Sequence, residues 1–165
     1  MDSLEMSFTQ MVRKHKSTIY TVCMMFGEET DDVEDLVQET LINLWRGFAK
    51  FEGRSQEKTW IWRVAMNTCI SQERKQKARK GRESSLDALG ITGQADEQSL
   101  EEDRQMRILY DRIHQLEVFD RAIVLLWLEN LPYEEIGDIV GISAKNVSVR
   151  LVRIREKLKR LRSQE

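Results

Sequence analysis

The sequence predicts an all-α protein: two small helical domains joined by a flexible acidic linker, the C-terminal one containing a helix-turn-helix. Three observations carry that expectation. Apolar residues recur at steps of three and four along most of the 165-residue chain, the period of a helix with one buried face. There is a single proline, Pro132, and no run of alternating β-branched residues, so no segment reads as a strand. Charge is segregated: Ser71 to Arg82 holds six basic residues against Glu73, Glu83 to Asp103 holds seven acids and no Lys or Arg, and the C-terminus is basic again. These divisions place one domain at 1–80, the linker at 81–104 and the second domain at 105–165.

Composition excludes several classes. A hydrophobic share of 41% suffices for packed cores, and 33% of residues are charged. No apolar stretch has the length that crosses a bilayer. The N-terminal MDSLEMSFTQ lacks a basic-then-apolar signal pattern, so a cytoplasmic protein with no direct membrane insertion is expected. Cys23 and Cys69 match no metal spacing and read as small buried hydrophobes. His15 and His114 stand alone, no nucleophile has a base, and no glycine loop cradles phosphate; no enzyme, metal or cofactor is expected. The net charge of −2 argues against a nucleic-acid partner only as a sum, because the distribution of charge sets the local field.

Phe8 to Phe26 reads as one helix with a basic interruption at Arg13-Lys14-His15-Lys16, ended by Gly27. Asp31 to Phe48 reads as the next, with Asp31 and Glu34 at capping-box spacing. Val33, Leu36, Val37, Leu41, Leu44, Trp45 and Phe48 form its inward stripe. Asp32, Asp35, Gln38, Glu39, Asn43 and Arg46 lie on the other side, which from pattern alone is a solvated face. Gly47 to Thr59 is a loop. Thr59 to about Gln76 is a third helix, in which Trp60 and Trp62 cannot both point into one core. Arg63, Asn67, Arg74 and Lys75 accompany them. Aromatics beside cations suit single-stranded DNA, a stacking platform beside charges for the backbone; two core tryptophans and a basic end are an equal reading of the same residues.

The linker holds small and acidic residues, with Leu86, Leu89 and Ile91 able to form one docked turn. Met106, Leu109, Ile113 and Leu116 mark a helix, and Asp120 can cap another carrying Ile123, Leu126 and Trp127. In LPYEEIGDIVGISAKNVSVRLVRIREKLKRL, Ile136, Ile139 and Val140 mark a short helix and Gly141 its left-handed end. Ser143 can cap the last helix, whose seam is Val147, Leu151, Ile154, Leu158 and Leu161. Gly137 sits where two steeply crossed helices need a small side chain. From Lys145 to Arg162 there are eight basic residues and one acid, Glu156, a charge pattern suited to phosphate. The pattern is that of a helix-turn-helix with its second helix in a major groove, and also of an ordinary helical hairpin.

Three stretches, DDVEDLVQETLINLWR, FEGRSQEKTWIWRVAMNTCI and LENLPYEEIGDIVGISAKNVSVRLVRIREKL, together resemble bacterial RNA polymerase sigma factors, in the short two-domain form of the extracytoplasmic-function group. The resemblance spans nearly the whole chain outside the linker. It implies that Asp32, Asp35, Gln38, Glu39, Asn43 and Arg46 dock on the clamp coiled coil of the largest polymerase subunit, with the flap as a further polymerase contact. It implies that Phe51, Ser55, Lys58, Thr59, Trp60, Arg63, Asn67, Arg74 and Lys75 melt and capture the minus-ten element. Ser143, Lys145, Asn146, Ser148, Val149, Arg150 and Arg153 would read the minus-thirty-five element. Glu57 stands where relatives often carry an apolar residue, and Pro132 where many carry a Ser cap. The partners so implied are core RNA polymerase, promoter DNA and an anti-sigma factor. The free chain is expected to be a monomer whose linker leaves the lobes unaligned. The competing readings are a dimeric helix-turn-helix regulator and a helical protein-interaction module with no DNA role.

Overall fold

The computed structural model describes residues 2–51, 53, 56–80 and 101–163. Among them are eight helices: α1 (Ser3–Lys14), α2 (Lys16–Phe26), α3 (Thr30–Phe48), α4 (Glu57–Lys80), α5 (Glu101–His114), α6 (Val118–Leu128), α7 (Tyr133–Val140) and α8 (Ala144–Ser163). The all-α expectation holds. Ser55 and most of the expected linker, Leu86, Leu89 and Ile91 included, lie outside the described residues.

Several boundaries differ from the sequence reading, each for a local reason. The first helix is two. His15 breaks it with φ −110° and ψ 17°, because its ring is buried and its Nε2 lies 2.8 Å from Glu57 Oε1. His15 is therefore not isolated, and the departure at Glu57 has a polar partner. The cap of α3 is Glu29, not Asp31: the Glu29 N–H donates to Asp32 Oδ2 at 3.4 Å, so the reciprocal carboxylate sits two residues earlier than expected. Helix α4 begins at Glu57 and runs past Gln76 to Lys80, a tail of good helix formers steadied by Lys77 and Glu73 one turn apart at 4.0 Å. Helix α5 starts at Glu101, inside the stretch 81–104 assigned to the linker. Glu117, not Asp120, is the N-cap of α6.

One buried cluster spans both lobes. In the N-terminal lobe, Ile19, Val22 and Cys23 of α2 meet Leu36 and Leu44 of α3 and Ile61, Trp62, Met66 and Cys69 of α4, all buried. Cys23 and Cys69 are free thiols, as the apolar reading requires. Hydrogen bonding to Cys23 and burial push the Cys69 thiol up, so it stays protonated. In the C-terminal lobe, Ile113, Ile123, Leu126, Ile136, Val147, Leu151 and Ile154 are buried in the same cluster. The expected seam of α8 is the buried one, with Leu158 and Leu161 half-buried at its end.

The lobes are not unaligned. The last carbonyls of α2 carry the negative end of its helix dipole, and its last turn, before Gly27, holds no basic residue to meet them. The other lobe supplies the partners. Arg121 of α6 is buried, 6% exposed. Its Nη1 donates to Glu73 Oε2 at 3.0 Å and reaches the Met25 carbonyl at 3.5 Å. Its Nη2 donates to the carbonyls of His114 and Leu116, each at 3.0 Å, and its guanidinium lies 5.4 Å from the Phe26 ring centre. The His114 ring hydrogen-bonds the backbone of Met24. At the far side of the junction Thr59 Oγ1 donates to Glu135 Oε1 at 2.5 Å.

Two outcomes are expected. Arg121→Met leaves the Met25 carbonyl without its cation and Glu73 with Lys77 alone, and breaking a buried pair costs about 3 kcal/mol; chemical denaturation should show a loss near that size, and small-angle scattering a larger radius of gyration. Burial and then Arg121 hold the His114 pKa below its ordinary 6.5, opposed by Met24, Asp111 and Glu28. The folded state thus favours the neutral ring, and its contribution to stability is full above 6.5 and falls as pH drops below it. Chemical denaturation across pH 7.5 to 5.5 should show stability falling toward the acid end in the parent chain, and a weaker pH response in His114→Gln.

Candidate nucleic-acid interface

The turn between α7 and α8 is built by two glycines and a serine. Gly141 takes φ 85°, the left-handed conformation that ends α7 and that glycine adopts without strain. A Cβ on Gly137 would collide with the Ile142 carbonyl oxygen, so the small residue is required where the chain doubles back. Ser143 Oγ accepts the Asn146 N–H at 3.2 Å, which caps α8 as expected. Pro132 precedes α7 with no side-chain cap.

Helix α8 is thereby fixed by Val147, Leu151 and Ile154 in the core. At ~100° per residue, Val149 and Lys145 point most directly away from that core, with Val152 and Ser148 to one side and Arg153 and Asn146 to the other. Ser143, Lys145, Asn146, Val149 and Arg153 are exposed, and Ser148 is half-buried. Arg150 differs from its neighbours. It lies near the flank of the core face, and its Nη1 donates to Asp120 Oδ1 at 3.2 Å. Its guanidinium also sits 4.8 Å from the Phe119 ring centre. In this arrangement Arg150 braces α8 against α6.

In the N-terminal lobe the expected pair of tryptophans separates. Trp62 is core, 2% exposed. Trp60 is half-buried and stacks on Phe51, with ring centres 4.7 Å apart and planes 22° from parallel. A Cβ at Gly47 would approach the Trp60 ring to 3.1 Å, so the end of α3 hems in that stack. Trp60, Arg63, Asn67 and Arg74 recur at helical steps on the outer side of α4. Lys58, Asn67, Arg74 and Lys75 are exposed and Arg63 is half-buried. Thr59 is buried beneath Glu135 of the other lobe.

The outer face of α3 presents Asp35, Gln38 and Arg46 to solvent, with Asp32 and Glu39 half-buried. Asn43 is turned inward, its Nδ2 donating to Thr68 Oγ1 at 3.0 Å. Ile42 and Trp45 are exposed on this face, 44% and 42%. The sequence reading put Trp45 inside and gave Ile42 no role. Trp45 makes an edge contact with Phe8, their ring centres 5.0 Å apart. Between α3 and α4 lies a polar cleft of about 420 Å³ lined by Glu39, Asn43, Asn67, Thr68, Ser71 and Lys75 among others. Among the described residues no cluster of His, Cys, Asp or Glu could hold a metal, and no helix is long and apolar enough to cross a membrane.

Comparison with known proteins accounts for both lobes. Residues 11–79 match the model of sigma-70 region 2, and residues 106–158 match that of sigma-70 region 4. The chain is 33% identical over 161 residues to the ECF RNA polymerase sigma-E factor of Haemophilus influenzae, covering 91% of this chain and 84% of that one. It is 28% identical to the ECF RNA polymerase sigma factor SigW of Bacillus subtilis, covering 93% and 88%. Its fold is that of the sigma factor RpoE solved in complex with the anti-sigma factor NepR from Bartonella quintana, with a TM-score of 0.75 at 23% identity over 95% of this chain and 97% of that one. On the strength of the two family matches and the match to the Haemophilus protein, the chain belongs to the ECF RNA polymerase sigma factors, which give core RNA polymerase its promoters and catalyse nothing themselves.

Proposed function

We propose a division of labour among three faces of this sigma factor. The α3 face of Asp32, Asp35, Gln38, Glu39, Asn43 and Arg46, joined by Ile42 and Trp45, docks on the clamp coiled coil of the largest polymerase subunit. An exposed tryptophan and isoleucine amid carboxylates suit a protein partner, because aromatic anchors with a polar rim are what such interfaces use. The outer side of α4 and the loop ahead of it take the opened minus-ten strand, with the Phe51–Trp60 stack as the platform. Helix α8 enters the major groove of the minus-thirty-five element, and the flap holds that lobe in place. The protein works where polymerase and chromosome are, in the cytoplasm.

The observation that carries this reading is the junction between the lobes. It covers Thr59 and ties the start of α4 to α7, so in the docked state a residue of the minus-ten face is out of reach. Core polymerase, gripping α3 and the C-terminal lobe separately, would set the lobes at promoter spacing and raise the effective concentration of each site for its element. An anti-sigma factor would act in the opposite direction by holding the lobes closed. That solved structural neighbours are complexes with an anti-sigma factor or with the cytosolic domain of CnrY supports a partner of that kind.

Two measurements test the scheme. Free chain should bind promoter duplex weakly, and holoenzyme tightly. In holoenzyme, Lys145→Ala and Arg153→Ala should weaken upstream-element binding, and each lost phosphate contact should lower the salt slope by about 0.9. Tight specific binding by the chain alone, or an unchanged slope in every such variant, refutes the assignment. Separately, Asp35→Ala with Trp45→Ala should weaken capture by core enzyme at least tenfold, about 1.4 kcal/mol, with the circular dichroism spectrum unchanged; full retention removes α3 as the docking face.

A further inference from the structure

Among the basic and polar residues of α8, two large apolar side chains are left in solvent. Val149 is 44% exposed and Val152 56%. They are three residues apart on the face turned away from the Val147, Leu151 and Ile154 seam, Val149 near its centre and Val152 to one side. Neither is an overflow of the core. Valine is also a poor choice for an exposed helical position, since branching at Cβ restricts its rotamers and lowers its helix propensity. An exposed face without a role would be filled by Lys, Glu or Ala, as in the following turns with Lys157, Lys159 and Arg160.

On a helix laid in a major groove, the central line is the one nearest the base edges, while the flanks meet the phosphates. Polar side chains there read hydrogen-bond donors and acceptors. The one apolar feature of those edges is the C5 methyl group of thymine. A branched, stiff aliphatic side chain is complementary to it, and presents no donor or acceptor to any other base. We infer that Val149 and Val152 are specificity-determining residues that read thymine methyl groups in the upstream promoter element, between cations that hold the backbone. This deepens the upstream-element reading proposed above and rests on it. Arg153, on the flank, supplies position without sequence; the valines supply sequence without charge.

Deoxyuridine tests this directly, because it pairs as thymine does and lacks only the methyl group. Holoenzyme is assembled from core enzyme and this chain, and its promoters are mapped by in vitro transcription. Upstream fragments of those promoters are then synthesised with deoxyuridine replacing thymine at one position at a time. Burying one methyl corresponds to about a fourfold change in affinity. At one or more thymines the replacement should weaken binding three- to fivefold. Val149→Ala or Val152→Ala should bind the thymine DNA that much more weakly, and should then be indifferent to uracil at the position that valine reads. Both substitutions favour the helix, so folding is preserved. Equal uracil sensitivity in parent and variants, or none at any thymine, overturns the inference. Loss of binding to a protein partner by the valine variants, with DNA binding intact, overturns it as well. If holoenzyme protects the upstream element and ignores uracil, only the valine assignment fails; if it does not protect that element at all, the minus-thirty-five reading itself fails.

Discussion

The unsatisfied end of α2 organises the relation between the lobes. A helix that stops at Gly27 without a cation of its own leaves carbonyls and a partial negative charge at a surface that is otherwise apolar, with Met25 and Phe26 buried there. Water cannot serve those carbonyls once the surface is covered. Arg121 and His114, from the other lobe, do so instead, and Glu73 balances the arginine. Arg121 is well suited to this, since its planar fork can hold several acceptors at once. A lysine has the charge without the geometry. The same group closes the turn between α5 and α6 through the carbonyls of His114 and Leu116, so the lobe junction and the local fold of the C-terminal lobe share one side chain.

That sharing bears on how much of the molecule was legible in its residues. The helix-turn-helix was, because its signals are local: Gly141 at the left-handed position, Ser143 at the cap, and Val147, Leu151 and Ile154 at the helical period. So was the burial of both cysteines. What failed was non-local. Helix α6 reads as an apolar run interrupted by Asp120 and Arg121, and nothing within it says that the arginine faces another domain. The break at His15 depends on Glu57, far along the chain. Trp45 follows the inward stripe of α3 by period, yet its position lies at the stripe's edge, where Phe8 covers one side of the ring and leaves the other open. Periodicity gives the direction of a side chain to within a fraction of a turn, and whether anything is packed there is a tertiary fact. The cap of α3 failed for a smaller reason: several acids precede it, and any could have served.

The same limits apply to the candidate site. The basic character of α8 was plain, but the division of its cations was not. Arg150 looks equivalent to Arg153 in sequence. It differs by its place near the core flank, where Asp120 and Phe119 meet it. A charged residue already paired to its own protein must exchange that pairing for a phosphate, so its net contribution to DNA binding is smaller than that of a free one. Similarly, Trp62 and Trp60 are two residues apart and fall on opposite sides of the core boundary. Only Trp60 remains accessible for stacking, and it does so from a position already ordered by Phe51 and Gly47. Ordering it beforehand lowers the entropy lost when a base is captured.

The strength of the junction has to lie within a window. If the lobes separated freely, the start of α4 would be open to any single strand. If they were locked, core polymerase could not spread them. The composition of the junction fits an intermediate value. Of the four acceptors around Arg121, His114 and Leu116 move with it, and only Glu73 and the Met25 carbonyl belong to the other lobe. Opening therefore does not strand a bare guanidinium. It keeps the two 3.0 Å bonds to its own lobe, while Glu73 retains Lys77 one turn away. The groups that lose partners are neutral carbonyls near a helix end, which water satisfies once the surface opens. An ion pair whose members each keep a local partner is a reversible clasp, and a polymerase surface that grips α3 has only to offset the difference.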